Sequence, residues 1–219
     1  MPEPTQITTL FVDIGGVLLT DGWNHQSRQA AAKKFGLDYA EMDARHRKMF
    51  DTYEAGKLSL QEYLDRCVFY EDRPFTRDQF RDFMFAQSQP YPEMIALIAG
   101  LKAQFGLKIA AVSNEARELN DYRIQTFKLS TLIDFFVSSC YVHLRKPDRE
   151  IFRLALDLSQ TPVEQIVYIE NTAMFVDIAE ELGIRSILHT DSNSTCARLA
   201  EFGLQTENET EKEAVHGGH

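Results

Sequence analysis

Four places in the sequence carry side chains with obvious reactivity, and they lie far apart: Asp13, Ser113-Asn114, Lys146 and Glu170-Asn171. A carboxylate can serve as a nucleophile, a base or a ligand for a hard cation. A hydroxyl and an amide can donate hydrogen bonds to an anionic oxygen, and an ammonium can balance its charge. Three of the four places end an apolar run. Leu10-Phe11-Val12 leads into Asp13, Leu107 to Val112 into Ser113, and Ile166 to Ile169 into Glu170. An acid at the end of a buried strand is costly without a partner or a task. Gly15 and Gly16 follow Asp13 at once, so Asp13 also reads as a plain turn former.

The apolar runs read as short strands, and helical patterns separate them. Ile7 to Val12 is the first strand. Four helices then follow without a strand. The first covers Asn24 to Phe35, with Gly36 as its stop, and Asp38 caps a second that runs to Ala55. Ser59 with Glu62, and Thr76 with Gln79, make capping boxes for the other two. Phe75, Phe80, Phe83 and Phe85 read as the core of this helical unit.

At Gln89-Pro90-Tyr91-Pro92 the pattern changes. Pro92 opens a helix that Gly106 closes, and strands then alternate with helices: Leu107 to Val112, Phe135 to Ser138, Ile166 to Ile169 and Ile184 to Leu188. Thr161-Pro162-Val163-Glu164 reads as a further capping box. The predicted organisation is a strand–helix core over residues 7–20 and 89–205, a helical domain over 21–88, and flexible termini at 1–6 and 206–219. Alternation of this kind implies an α/β class with a parallel sheet and helices on both faces. Ligands then sit beyond the carboxyl ends of the strands, where Asp13, Ser113-Asn114 and Glu170-Asn171 converge. Lys146 falls between the third strand and its helix.

Composition narrows the functions. With 44% hydrophobic residues over 219, the chain can bury a sizeable core. A formal net charge of −10 gives no reason to bind a polyanion, so nucleic acid is not an expected partner. Cys67, Cys140 and Cys196 have neither metal-type nor disulfide spacing, which fits a reducing compartment. With no membrane-length apolar run and no leader pattern at the N-terminus, a cytoplasmic protein is expected, without membrane partners. The oligomeric state is left open.

Taken in order, these motifs resemble the haloacid dehalogenase (HAD) superfamily of hydrolases. Its D-x-D-G-[TV] motif corresponds to Asp13-Ile14-Gly15-Gly16-Val17, and its strand-end Ser/Thr to Ser113. Its K-P-D-x-x-[IY] lysine corresponds to Lys146-Pro147-Asp148, and its acidic fourth motif to Glu170-Asn171, followed by Gly183-Ile184. Tyr53 to Ser59 is similar to the E-x-G-x-[IL]-S turn of the family's C1 caps. The resemblance spans about residues 7 to 205. It implies a Rossmann-like catalytic core with an inserted four-helix C1 cap. It further implies a magnesium-dependent phosphatase for a small phosphorylated metabolite such as a sugar phosphate. In that reading Asp13 is the nucleophile that forms an aspartyl-phosphate, with Ser113 and Lys146 as its catalytic partners. Asn114, Gly15 and Gly16 bind phosphate, and Asp13, Gly15 and Glu170 hold Mg2+.

The chain also departs from the family's pattern. Gly15 stands where the family has a second Asp, the proton donor to the leaving group, and a lost general acid/base typically lowers rate by about 10²–10⁴-fold. Glu170-Asn171 stands for two acids. D-x-G-[GN]-V versions occur in a HAD subgroup with sugar-phosphate phosphatases. A donor from the cap is a further option, with His25 and His46 as candidates beside a plain role as surface helix residues. Two other readings stay open: a non-catalytic or weakly active binder, and a 2-haloacid dehalogenase using Arg28.

Overall fold

The computed structural model of the protein describes residues 6–205. The expected flexible ends therefore lie outside the described residues, apart from the exposed Gln6. Five short strands form the sheet: β1 (Thr9–Val12), β2 (Lys108–Ser113), β3 (Phe135–Ser138), β4 (Ile166–Glu170) and β5 (Arg185–Leu188). They lie in the order β3-β2-β1-β4-β5, and every pairing is parallel. This is the α/β architecture expected from the sequence. The strand bearing Asp13 occupies the centre, so its end lies between the ends of β2 and β4.

Both faces of the sheet are covered, which is why the interiors of β1, β2 and β4 carry apolar side chains at successive positions rather than alternating. Leu10, Val12, Ile109, Ala111, Val167 and Ile169 pack on one face with Met94, Ile98 and Leu101 of α5 (Pro92–Phe105) and Leu199 of α10 (Ser192–Glu201). Phe11, Ala110, Val112 and Tyr168 pack on the other, with Ile151, Phe152 and Ala155 of α8 (Arg149–Ser159) and Ala179 of α9 (Ala173–Glu181). The period-two split follows from successive side chains pointing to opposite faces.

Between β1 and α5 lie α1 (His25–Phe35), α2 (Tyr39–Glu54), α3 (Leu60–Cys67) and α4 (Arg77–Ala86). Both capping boxes form as read, Ser59 with Glu62 and Thr76 with Gln79. These helices have their own apolar cluster, in which the ring of Phe35 packs against Phe75, Phe80 and Phe83. Phe80 is its fully buried centre. The cluster also takes in Ala116 and Leu119, at the start of α6 (Arg117–Thr126), so the helical unit packs against that helix.

Two local readings change. Thr161 does not open a helix: one 3-10 turn, Val163–Gln165, stands there, and the Thr161 hydroxyl bonds back to Ser159 O at 3.1 Å. A short helix, α7 (Ser139–Val142), follows β3 directly.

The two passages between core and cap run side by side. Thr20 N–H donates to Gln89 O at 2.8 Å, and Tyr91 N–H to Leu18 O at 2.9 Å. Arg123, 1% exposed, ties both down, donating to Thr20 O and to Ser88 Oγ at 3.0 Å each. A Cβ on Gly22 would lie 1.9 Å from its guanidinium, so the close approach requires a glycine.

Candidate active site

Beyond the carboxyl ends of β1, β2 and β4, a cavity of about 360 Å³ opens between core and cap. Asp13, Gly15, Asn114 and Asn171 line it from the core, and Trp23, Phe50, Tyr53 and Met84 from the cap. Asp13 is 7% exposed and continues β1: its N–H donates to Ile169 O at 3.0 Å, and its Oδ1 accepts from Ile14 N–H at 2.8 Å.

Beneath Asp13 lies Lys146, fully buried. Its Nζ is 3.0 Å from Asp13 Oδ2, 2.6 Å from Glu170 Oε2 and 3.1 Å from the Tyr168 hydroxyl. Tyr168 donates in turn to Glu170 Oε2 at 2.5 Å. Two carboxylates thus share one ammonium. Burial and the neighbouring Glu170 charge push the Asp13 carboxyl up, more than Lys146 and the Ser113 hydroxyl hold it down. Burial works against the Lys146 charge, yet Asp13 and Glu170 outweigh it and raise the ammonium pKa. The shared preference is a proton kept on the lysine.

The structure brings Asp13, Ser113, Lys146 and Glu170 together, and it assigns some of the expected phosphate and metal residues other tasks. Asn114 turns its amide to the Lys146 backbone, accepting from Lys146 N–H and donating to Lys146 O at 2.8 Å each. It positions the lysine. Gly16 (φ +75) gives its N–H to Leu19 O at 2.7 Å, closing the turn after β1. Glu170 is fully buried, with Lys146 and Tyr168 on one oxygen and Thr172 N–H on the other at 2.8 Å. Asn171, rather than Glu170, faces the cavity.

Of the two cap histidines, neither lines the cavity. His25 is exposed and bonds Tyr39 at 2.6 Å. His46 is no surface residue: it is 3% exposed and held by the Tyr63 hydroxyl at 2.8 Å. Arg28 does line the cavity, but its guanidinium grips Asp43 at 2.8 and 3.0 Å.

Residues that the sequence reading passed over complete the walls. Glu115 pairs with Arg123 at 2.5 Å, and Arg145 holds Glu54 at 2.7 Å and Asp51 at 2.8 Å. The Arg145 contacts join the loop before Lys146 to the cap. So does Gly56 (φ +66), where a Cβ would meet Cys140 O at 2.1 Å. Burial pushes the Glu54 carboxyl up to about 7 against the pull of Arg145. Among the described residues, no group of three His, Cys, Asp or Glu side chains is arranged to hold a metal ion.

A family model for haloacid dehalogenase-like hydrolases matches residues 7–183. The chain belongs to that family. Solved HAD structures share the fold. A HAD family enzyme from Bacteroides thetaiotaomicron superposes with a TM-score of 0.72 at 20% identity, over 83% of this chain and 93% of that one. The same enzyme has been solved with magnesium and inorganic phosphate, TM-score 0.71. The L-2-haloacid dehalogenase of Xanthobacter autotrophicus gives 0.59 at 14% identity, over 83% of this chain and 76% of that one.

Curated relatives match only in part. A drimenol cyclase from Aspergillus calidoustus is 32% identical over 108 residues, 48% of this chain and 20% of that protein. The bifunctional epoxide hydrolase 2 of Rattus norvegicus is 27% identical over 124 residues, 55% of this chain and 22% of its own length. The chain thus spans about a fifth of either relative. Among the described residues no helix is long and apolar enough to cross a membrane.

Proposed function

We propose that this HAD-like hydrolase is a magnesium-dependent phosphatase that acts on a small phosphorylated metabolite through an aspartyl-phosphate on Asp13. One observation carries the reading: Asp13 lines the cavity while its Oδ2 is paired with the buried Lys146 ammonium at 3.0 Å. The pairing keeps the carboxylate oriented, and the cavity admits a substrate to it. Asp13 attacks phosphorus as the bond to the leaving oxygen breaks, and water then cleaves the acyl phosphate. Lys146 holds the carboxylate in place, Asn114 holds Lys146, and the Ser113 hydroxyl beside Asp13 donates to a phosphoryl oxygen.

The charge balance favours a cation. Two carboxylates on one ammonium leave excess negative charge where an anion must bind. Oxygen donors at the cavity suit magnesium, which keeps several waters and takes few protein ligands. Asp13, Gly15 and Asn171 would hold it, with Glu170 behind them on Lys146. When bound, the ion supplies positive charge against the phosphoryl oxygens. A cytoplasmic setting, with neither nucleic acid nor membrane as partner, completes the reading; the buried Cys67 and Cys140 thiols and the net charge of −10 support it.

The test is phosphate release from 4-nitrophenyl phosphate and a panel of sugar and other metabolite phosphates, with magnesium or with chelator. Wild type is expected to release phosphate only with magnesium, and Asp13→Asn to lose at least about 10³-fold. Release that survives Asp13→Asn overturns the nucleophile. No release from any compound favours a binding protein, and metal-free halide release from a 2-haloacid favours dehalogenation.

A further inference from the structure

The turn after Asp13 leaves a chemical gap. A phosphate ester of an ordinary alcohol has a basic leaving oxygen, so its departure needs a proton, and the water that follows needs a base. Gly15 provides neither. The space beside it is nevertheless occupied by a carboxylate. Built onto Gly15, a Cβ would lie 3.6 Å from Asp21 Cα and 3.9 Å from Asp21 Oδ1. Built onto Gly16, it would lie 2.8 Å from the same oxygen and 2.0 Å from Asn171 Nδ2. Asp21 therefore reaches back over the glycine turn, eight residues after the nucleophile, and lines the same cavity as Asp13. Its other oxygen, Oδ2, accepts from Asn24 Nδ2 at 3.3 Å, which fixes the carboxyl plane.

The alternatives in the cavity wall are committed elsewhere. Glu54 is held by Arg145 and Glu115 by Arg123, whereas Asp21 enters no ion pair among the described residues. Asp21 is exposed to solvent at the cavity, whereas Glu115 is buried.

We infer that Asp21 is the general acid/base of this phosphatase, supplying from the cap linker the carboxyl that Gly15 lacks; the inference rests on the phosphatase reading above. Asp13 forms the bond to phosphorus, the P–O bond to the leaving group breaks, and the Asp21 proton passes to the leaving oxygen. Water then attacks phosphorus, its proton passes to the Asp21 carboxylate, and the Asp13–phosphorus bond breaks. Asp21 ends protonated, as it began.

The two halves separate with 4-nitrophenyl phosphate, whose nitrophenolate leaves without a proton. Asp21→Asn is expected to keep a rapid burst of about one nitrophenolate per enzyme, then turn over about 10²-fold or more slowly, because only the water step lacks its base. A merely structural role for Asp21 would remove burst and turnover together. Gly15→Asp added to Asp21→Asn is expected to restore at least tenfold of the loss, since a Cβ at Gly15 meets only ordinary contacts. Circular dichroism and a thermal melt check that both variants fold.

Unchanged turnover in Asp21→Asn, or loss of burst and turnover alike without restoration by Gly15→Asp, overturns the assignment while the phosphatase reading stands. A wild-type enzyme that releases no phosphate overturns that reading itself, and this role falls with it.

Discussion

Compare the polar cluster around Lys146 with the one around Tyr63 in the cap. Both are buried, and both join three or four side chains by hydrogen bonds. In the cap, Trp23 Nε1 donates to the Tyr63 hydroxyl at 2.8 Å, and that hydroxyl meets His46 Nδ1 at 2.8 Å. Indole can only donate, so Tyr63 accepts from Trp23, and burial, which lowers the His46 pKa to about 4, keeps the imidazole beside it neutral at neutral pH. The chain closes without formal charge. Around Lys146 two carboxylates face one ammonium, and one of them opens on the cavity. A balanced network specifies packing, whereas an unbalanced one at a cavity is poised to take a ligand.

Breaking each cluster at its centre should expose the difference. Lys146→Met leaves Asp13 and Glu170 buried without their shared cation. Loss of one partner from a buried ion pair typically costs about 3–5 kcal/mol, and that is the decrease expected from urea unfolding. Phosphate release should disappear with it. Adding Glu170→Gln should recover part of the stability and none of the activity. A Lys146→Met protein as stable as wild type would mean that these groups are not buried charges.

The next effect is smaller and confined to stability. Tyr63→Phe keeps the ring, stacked on Tyr53 at 4.3 Å between centroids, but orphans the Trp23 N–H and the His46 Nδ1. A buried group left without its partner costs about 1–3 kcal/mol. The melt should therefore shift by an amount of that order, while saturated turnover falls far less than in Lys146→Met. Turnover lost in proportion to Lys146→Met would make the cap cluster part of the chemistry and dissolve the contrast.

The sequence made one cluster legible and hid the other. Asp13, Ser113 and Glu170 each end an apolar strand, so the parallel-sheet rule brings them together without knowledge of any contact. Helix limits were similarly local: the Ser59 and Thr76 boxes and the Gly36 and Gly106 stops act within one turn. Arg123 had no such sign. It sits in a polar helix and is buried only because Thr20 and Ser88, 103 and 35 residues away, fold over it. Gly22 was the trace it left, a glycine whose missing Cβ makes room for the guanidinium. Asp21 was unreadable for the same reason, since its position depends on how the linker crosses the Gly15-Gly16 turn; Asn171 was visible in its motif, but not that it, rather than Glu170, faces the cavity. His46 looked like a surface residue because no local pattern marks Tyr63, 17 positions later, as its partner.

The last contrast is in pH. Burial first, then the Arg28 and Arg47 charges, lower the His46 pKa from an ordinary 6.5 to about 4, with Asp43 opposing them. The folded state thus binds the proton less readily than the unfolded chain, and stability rises with pH across that interval. His46 contributes fully above pH 6.5, and its contribution is lost as pH falls toward 4. At pH 5 the linkage corresponds to at most about 2 kcal/mol, at 1.36 kcal/mol per pH unit. Carboxylates titrate in the same range, so the measure is the difference between wild type and His46→Gln, whose amide can still hydrogen-bond Tyr63 in either direction but takes no proton. Melting temperature should fall less steeply between pH 6.5 and 5 in His46→Gln than in wild type. Parallel slopes would mean that the ring reaches solvent and protonates in place, and that the cap cluster is open to charge after all.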